Sequence, residues 1–130
     1  MQITDYRAFH AALQTCLSVV PKRSPVPILY SLRVEFRDQG VSLTACDGET
    51  YFRSFLAGQS EPGDAGKALC VNVADLRLAF PKPTKPVQEP ALDICGTKCV
   101  VTLGGARSGF EGNPAEDFPE EVAGFRKAFR

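Results

Sequence analysis

The hydrophobic pattern of this chain changes twice from a helical to an alternating period, and this change limits the folds open to it. Apolar residues recur every three or four positions within residues 9–20 and again within residues 73–80. Such spacing predicts amphipathic helices, and Pro21 and Pro81 are expected to end them. We therefore predict one helix near residues 6–20 and a second near residues 73–80.

Short alternating segments joined by turns follow each predicted helix. Alternation of apolar and polar residues predicts strands that are buried on one face. Strands are expected near residues 2–3, 31–37, 41–45, 50–56, 68–71, 91–95, 98–103 and 107–111. The order of one strand, one helix and three strands thus occurs twice, as a duplication of pattern and not of sequence. Many antiparallel strands with only two helices indicate an α+β fold, with both helices on one face of a curved, mainly antiparallel sheet.

Length and composition indicate one domain with its own core. The 130 residues are 44% hydrophobic, and 15 basic residues balance 15 acidic ones. This neutral total points neither to nucleic acid nor to an acidic, solvating tail. No apolar run reaches the roughly 18 residues that a membrane span needs, and the N-terminus lacks the features of a secretory signal. We expect a cytoplasmic protein with a domain over residues 1–120 and a basic amphipathic tail over residues 121–130.

Enzyme and metal-binding signatures are scarce in the sequence. It contains no glycine-rich nucleotide motif, no nucleophile elbow and no zinc-protease motif. The single histidine, His10, has no obvious local partner, and Asp47 and Glu49 lie in a turn where such acids normally bond nearby amides. Among five cysteines only Cys95 and Cys99 are spaced like a ligand pair, whereas structural zinc needs four ligands. We expect reduced thiols, no metal, no cofactor and no catalytic residue.

Three segments carry a resemblance to a known family. They are Arg23-x-Pro25-Val26-Pro27-Ile28-Leu29-x-x-Leu32, Leu43-Thr44-Ala45-Cys46-Asp47-Gly48-Glu49 and Pro114-Ala115-Glu116-Asp117-Phe118-Pro119. With these motifs the chain, from about Gln2 to Pro119, resembles the N-terminal domain of the bacterial sliding clamp, the beta subunit of DNA polymerase III. The resemblance implies a non-enzymatic domain that lays two helices on a sheet, contributes to a ring around duplex DNA and tethers polymerase and repair proteins.

The resemblance also implies which residues face DNA. The helices of a clamp line the hole of the ring, and contacts that slide must bind phosphates without reading bases. Arg23 matches the corner arginine that approaches DNA in the family. The DNA-contact set implied by position is Arg7, Gln14, Lys22, Arg23, Arg77 and Lys82.

Two functions from different classes remain open. The first is a sliding-clamp (processivity factor) domain in DNA replication or repair, either as a protomer of a ring or as a piece of a longer clamp. The alternative is a single-domain interaction module that modulates a clamp, a clamp loader or a polymerase without encircling DNA. Helix faces poor in Lys and Arg favour the alternative, and the corner at Arg23 favours the clamp domain.

Self-association is expected at an edge of the sheet, because an uncovered edge strand offers unpaired backbone groups to another chain. The apolar segment near the end of the chain, directly or through the strand after it, is the candidate edge. The predicted interface residues are Cys99, Val100, Val101, Leu103 and Arg107. Such a contact would be head-to-tail, and the resemblance implies six copies in a closed ring. Val122, Phe125 and Phe129 are spaced like a short amphipathic helix that could instead cover an edge or contact a partner.

Overall fold

The computed structural model describes residues 1–85, 87–119 and 126–129, the last four as backbone. The helices within these residues are α1 (Tyr6–Val19) and α2 (Val73–Ala79). The strands are β1 (Gln2–Ile3), β2 (Ser31–Arg37), β3 (Gly40–Cys46), β4 (Thr50–Gln59), β5 (Ala68–Asn72), β6 (Ala91–Cys95), β7 (Lys98–Leu103), β8 (Ala106–Glu111), β9 (Asn113–Pro114) and β10 (Arg126–Phe129). Both helices and the first eight strands lie where the hydrophobic pattern predicts them.

The strands form a sheet in the order β8-β7-β6-β1-β4-β3-β2-β5-β9, and every pairing along this path is antiparallel. The unit β1-α1-β2-β3-β4 is matched by β5-α2-β6-β7-β8/β9. Thus β1 pairs with β4 and β6, and β5 correspondingly pairs with β9 and β2. Only Gly112 separates β8 from β9, so the two ends of the path are consecutive in the chain. The repeated hydrophobic pattern corresponds to a repeated strand topology.

Both helices pack on the same face of the sheet. The ring of Phe9, in α1, lies 4.8 Å from that of Phe80, which follows α2, and the ring of Tyr6 lies 6.2 Å from Phe80. Side chains of both helices join one cluster of buried residues with the inward faces of β2, β3 and β4. The predicted α+β fold, with two helices on one face of a mainly antiparallel sheet, is confirmed. Neither helix in the described part of the chain is long and apolar enough to cross a membrane.

Polar side chains fix where the helices begin. The Asp5 carboxylate accepts a hydrogen bond from the Ala8 N–H at 3.0 Å, and the Asn72 side-chain oxygen accepts one from the Ala74 N–H at 2.8 Å. Each bond satisfies a backbone donor that the first turn leaves without a partner. Helix α1 ends shortly before Pro21, as predicted. The exposed face of each helix is therefore set by a local cap and by its apolar stripe.

A second, smaller cluster lies on the sheet face opposite the helices. Its buried members are Leu29, Cys46, Tyr51, Cys70 and Phe118. The rings of Tyr51 and Phe118 meet edge to face with centroids 6.2 Å apart, and the Tyr51 hydroxyl donates to the Pro119 carbonyl at 3.1 Å. Leu29, Cys46 and Phe118 come one from each of the three segments that carry the family resemblance. Three segments that are far apart in the sequence therefore meet in this one cluster.

The cysteines do not converge on a common point. Cys99 is buried in the main core, whereas Cys95, on the facing strand of the same hairpin, is exposed. The two thiols therefore lie on opposite faces of the sheet and cannot share a metal ion. In residues 1–85, 87–119 and 126–129 no group of three His, Cys, Asp or Glu side chains is placed to hold a metal.

We expect one thiol to react in the folded protein and five after denaturation. Cys95 is exposed, while the other four thiols are buried. Burial also raises the pKa of Cys16 and Cys99 to about 12, so their reactive thiolate is scarce at neutral pH. A hydrogen bond to Asp93 raises the pKa of Cys95, so its reaction should accelerate as pH rises. Titration with a chromogenic disulfide reagent measures both counts.

The matched variant for this titration is Cys95→Ser, which should abolish the reaction of the folded protein and leave four thiols in denaturant. A second thiol reacting at the same rate in the folded protein would contradict the packing described here.

Residues 126–129 differ from the helix predicted for the tail. They form β10, which runs parallel to β4 with a register from Arg126 opposite Thr50 to Phe129 opposite Arg53. A strand is favoured there because the edge of β4 offers backbone hydrogen-bond partners, which a helical spacing in the sequence cannot reveal. The predicted helix is wrong for residues 126–129, while Val122 and Phe125 lie outside the described residues.

Strand β7, predicted from the sequence as an associating edge, is not at the edge of the sheet. Strand β7 pairs with β6 on one side and with β8 on the other, so β7 itself presents no open edge. Cys99 and Val101 point into the core, and Val100 and Leu103 are half-buried. The outermost strand is β8, where Arg107 is exposed. Association directly through β7 is therefore wrong, and association through β8 stays a prediction.

Candidate nucleic-acid interface

All six residues of the predicted DNA-contact set have exposed side chains. They are Arg7 and Gln14 on α1, Lys22 and Arg23 directly after it, Arg77 on α2, and Lys82 in the segment that follows α2. In the part of the chain that the structure describes, none of the five cations in this set forms an ion pair. Their charges are therefore available to an anionic partner.

Lys22 and Arg23 are held at the end of α1 by an ordered corner. The Ser24 N–H donates to the Tyr30 hydroxyl oxygen at 2.5 Å, and that hydroxyl donates to the Ser24 carbonyl at 3.2 Å. A 3-10 turn over Pro27–Tyr30 follows and buries Leu29. The corner fixes the backbone on which both cations stand, while their long side chains remain free to move.

The second group of cations lies where the start of α1 meets the end of α2. The Tyr6 hydroxyl donates to the Pro81 carbonyl, and Arg7 and Lys82 directly follow these two residues in the chain. Arg77 occupies the last turn of α2. The structure thus brings Arg7, Arg77 and Lys82 to one end of α1.

The two groups lie at opposite ends of α1. A helix rises about 1.5 Å per residue, so the 14 residues of α1 separate the groups by roughly 20 Å. Gln14 lies between them, and its amide nitrogen is 3.4 Å from the His10 Nε2 atom. The predicted set therefore forms two cationic points joined by a polar helix face and not one continuous patch.

Sequence reasoning missed Lys85 as a member of the second group. With Tyr6, Lys82 and Gln88 it lines a cavity of about 190 Å³ beside the connection that follows α2. Its side chain is exposed. The signal was available, because Lys82 and Lys85 are the only charged residues in the proline-rich residues 81–86.

The side chains considered for catalysis have structural partners. The Asp47 carboxylate accepts hydrogen bonds from the N–H groups of Glu49 and Thr50 at 2.8 and 2.6 Å, as expected for an acid in a turn. His10 lies between Gln14 and the ring of Tyr6, whose centroid is 6.1 Å away. These contacts position a turn and a helix surface, and they bring no acid, base and nucleophile together.

Several cations on the face opposite the helices are neutralised by acids. Arg33 and Arg37 share the Glu35 carboxylate at 3.7 and 3.2 Å. Lys67 lies 3.8 Å from Asp64 and 3.7 Å from Asp93. The unpaired cations of the helix side therefore contrast with a partly compensated sheet side.

A family model for the DNA polymerase III beta subunit, N-terminal domain, matches residues 2–122 of the chain. Solved structures show the same fold. The sliding clamp (DNA polymerase III subunit beta) from Bartonella birtlesii aligns with a TM-score of 0.80 at 24% sequence identity, over 95% of this chain. The DNA polymerase III subunit beta from Pseudomonas aeruginosa gives 0.79 at 23% identity over 95% of this chain, and the beta subunit from Streptococcus pyogenes gives 0.76 at 17% over 93%.

The chain spans about a third of the length of these structures, with 32%, 33% and 32% of the three chains covered in the same order. No curated protein sequence matches the chain.

Proposed function

The chain belongs to the family of the DNA polymerase III beta subunit, N-terminal domain, and we propose that it acts as a sliding-clamp domain in DNA replication or repair. It binds the backbone of duplex DNA without sequence preference, it holds partner proteins such as a polymerase or a clamp-loader subunit at the DNA, and it works in the cytoplasm. Its role is binding, with no chemical step of its own.

The observation that carries this proposal is the set of exposed cations around both helices, which form no ion pair with the residues that the structure describes. Each has a flexible side chain on a fixed backbone, so it can follow a phosphate without reading a base. Binding of this kind releases the counterions of DNA and is independent of sequence. Two cationic groups about 20 Å apart suit contacts to separate phosphates along a duplex more than one tight phosphate site.

Replacing Lys22 and Arg23 together by Ala should weaken duplex binding and flatten its salt dependence. Each lost phosphate contact makes the negative slope of log K against log salt about one unit less steep, so we expect the magnitude of the slope to fall by about two. Fluorescence anisotropy on a labelled duplex of arbitrary sequence, repeated across a salt series, measures affinity and slope together.

A matched control removes two exposed cations from the sheet side, as Arg37→Ala with Lys98→Ala, and should leave the slope unchanged. Equal loss in both double variants would show that binding follows total charge and not the helix side. No binding at low salt in the unmodified chain would reject the proposed DNA contact.

One observation favours the alternative, a clamp-like module that contacts proteins without encircling DNA. Leu78 on α2 is 80% exposed, beside Arg77, on the face that would turn towards DNA. An apolar side chain gains little near phosphates but much in a protein contact. If the unmodified chain does not bind DNA, we expect Leu78→Asp to weaken binding to a clamp, a clamp loader or a polymerase.

Assembly is the remaining part of the proposal. Strand β8 offers an uncovered edge in the described part of the chain, and Arg107 is exposed on it. Another copy, or another domain of the same kind, would continue the sheet at this edge by a head-to-tail contact that closes into a ring.

A further inference from the structure

The two halves of the domain differ at one point in their strand pairing. Each half ends in a strand with a stretch that is paired on one side only. Strand β4 meets β1 only at Gly58 and Gln59, so β1 leaves that side of residues 50–57 uncovered, and β8 has no strand on its outer side within the described residues. The pairing of β4 with β10 has no counterpart at β8 within the described residues. The C-terminal strand therefore breaks the internal symmetry by covering one of two equivalent edges.

The hydrogen-bond pattern shows which groups of β4 the edge presents. The Gly58 N–H donates to the Gln39 carbonyl at 3.1 Å, and the Asp47 N–H donates to the Thr50 carbonyl at 3.2 Å. Because backbone groups alternate in an antiparallel pair, Tyr51, Arg53, Phe55 and Ala57 point theirs away from β3. These residues are the template for a neighbouring strand.

Most of this template is already occupied by the chain itself. The register of β10 covers Thr50 to Arg53, and the Thr4 hydroxyl donates to the Ala57 carbonyl at 3.3 Å. Phe55 lies between the stretch paired with β10 and the residue bonded to Thr4, and it is 54% exposed. An incoming strand would find only this short interval of β4 open, which is too little for a ladder.

The outer edge of β8, in contrast, is open within the described residues. The Gly112 N–H donates to the Thr97 carbonyl at 2.7 Å, so by alternation the N–H groups of Arg107, Gly109 and Glu111 point away from β7. No strand of the described residues pairs with that side. One copy thus presents an open β8 edge, while the β4 edge that a second copy would need is closed.

We propose that the C-terminal strand β10 is an autoinhibitory strap, which occupies the β4 edge and keeps one copy from receiving the β8 edge of the next. Release of β10 from β4 opens the second edge and permits head-to-tail association of copies. The inference rests on the proposed assembly through β8 and adds its regulation.

The test disrupts β10 in the full chain. Successive residues of a strand point their N–H groups to opposite sides, so Lys127→Pro with Ala128→Pro removes whichever N–H faces β4. The matched control, Lys127→Thr with Ala128→Val, keeps both N–H groups and favours a strand. Sedimentation velocity over a range of concentrations, without DNA, measures self-association.

We expect the unmodified chain and the Thr/Val control to stay monomeric where the double-proline variant associates, with an association constant higher by about tenfold or more. Adding Gly109→Pro to the double-proline variant should return it to a monomer, because it removes an outward N–H of β8 and leaves the β7 ladder intact.

Three results would overturn the strap. The double-proline variant could remain monomeric at every concentration, the unmodified chain could associate to the same extent, or association could persist with Gly109→Pro. Because no DNA is present, these outcomes are independent of the salt-dependent duplex binding that tests the proposed function. Unchanged thermal unfolding of the double-proline variant would show that association arises from folded chains.

Discussion

Replacing Asp64 with Ala is expected to lower the free energy of unfolding by about 3 kcal/mol, because it leaves a buried ammonium group without its counter-charge. The Asp64 Oδ2 atom lies 3.2 Å from the Met1 ammonium nitrogen, and both groups are almost fully buried. The same carboxylate accepts the Glu61 N–H at 2.8 Å. Asp64 thereby joins the first strand to the loop between β4 and β5.

The effect should depend on pH in a defined direction. Burial alone would raise the pKa of Asp64, but the Glu61 N–H, the Met1 ammonium and Lys67 together hold that pKa below its ordinary value. A carboxyl group with a lowered pKa in the folded state stabilises fully above its unfolded pKa, near 3.9. That stabilisation is lost as pH falls through the folded value.

Urea unfolding of the unmodified chain and of Asp64→Asn across the acid range measures this loss. The difference between their free energies of unfolding should shrink as pH falls below about 4. Asp38→Ala removes an exposed acid in a turn and serves as the control, with an expected change below about 0.5 kcal/mol. An equal loss for Asp38 and Asp64, or no pH dependence of the difference, would contradict the buried pair.

Leu76→Ala should destabilise the fold by about 3 kcal/mol, whereas Leu78→Ala should change the free energy of unfolding by less than about 0.5 kcal/mol. Both leucines belong to α2, two positions apart. Leu76 is 1% exposed in the main core, and Leu78 is 80% exposed. The pair therefore controls for helix propensity and for the chemistry of the deletion.

Denaturant unfolding, followed by far-ultraviolet circular dichroism, gives both values. Similar costs for the two variants would mean that α2 does not present the face described here. If Leu76→Ala unfolded only α2 and left the rest of the chain folded, the second helix would pack on the sheet independently of α1.

Much of the fold was predictable because its elements depend on local signals. The stripe that includes Phe9 and Leu13, and the alternation of Leu32, Val34 and Phe36, are periodic whatever the rest of the chain does. The order of the strands in the sheet, in contrast, does not follow from local signals. That β1 lies between β4 and β6 depends on backbone partners more than 50 residues away in both cases, and nothing in the two residues Gln2 and Ile3 specifies them.

Both errors concern strand pairing, which the local hydrophobic pattern does not specify. The spacing of residues 122–129 predicts a helix, but the edge of β4 offers residues 126–129 a ladder. The apolar run at Val100 and Val101 predicts an associating edge strand, but in the fold that edge of β7 is paired with β8. A distant strand decided the outcome for residues 126–129, whereas Val100 and Val101 are covered by β8, the next strand in the chain.

The candidate interface was predictable to a different degree. The positions of Lys22, Arg23 and Arg77 come from the family motifs and from helix spacing, and all three are exposed as expected. Their division into two groups was not predictable, because it depends on the contact between Tyr6 and the segment after α2. For the same reason Lys85 was missed, although it lines the cavity beside that contact.

Backbone amide chemical shifts would show directly whether the helix side of this domain contacts the backbone of duplex DNA. We would record amide spectra of the ¹⁵N-labelled chain at low salt, with and without a duplex of arbitrary sequence. We expect shift changes around Arg7, Arg23, Arg77 and Lys82, the same for two unrelated DNA sequences and reversed by added salt. Changes confined to the outward face of the sheet, around Arg37 and Lys98, would contradict this contact.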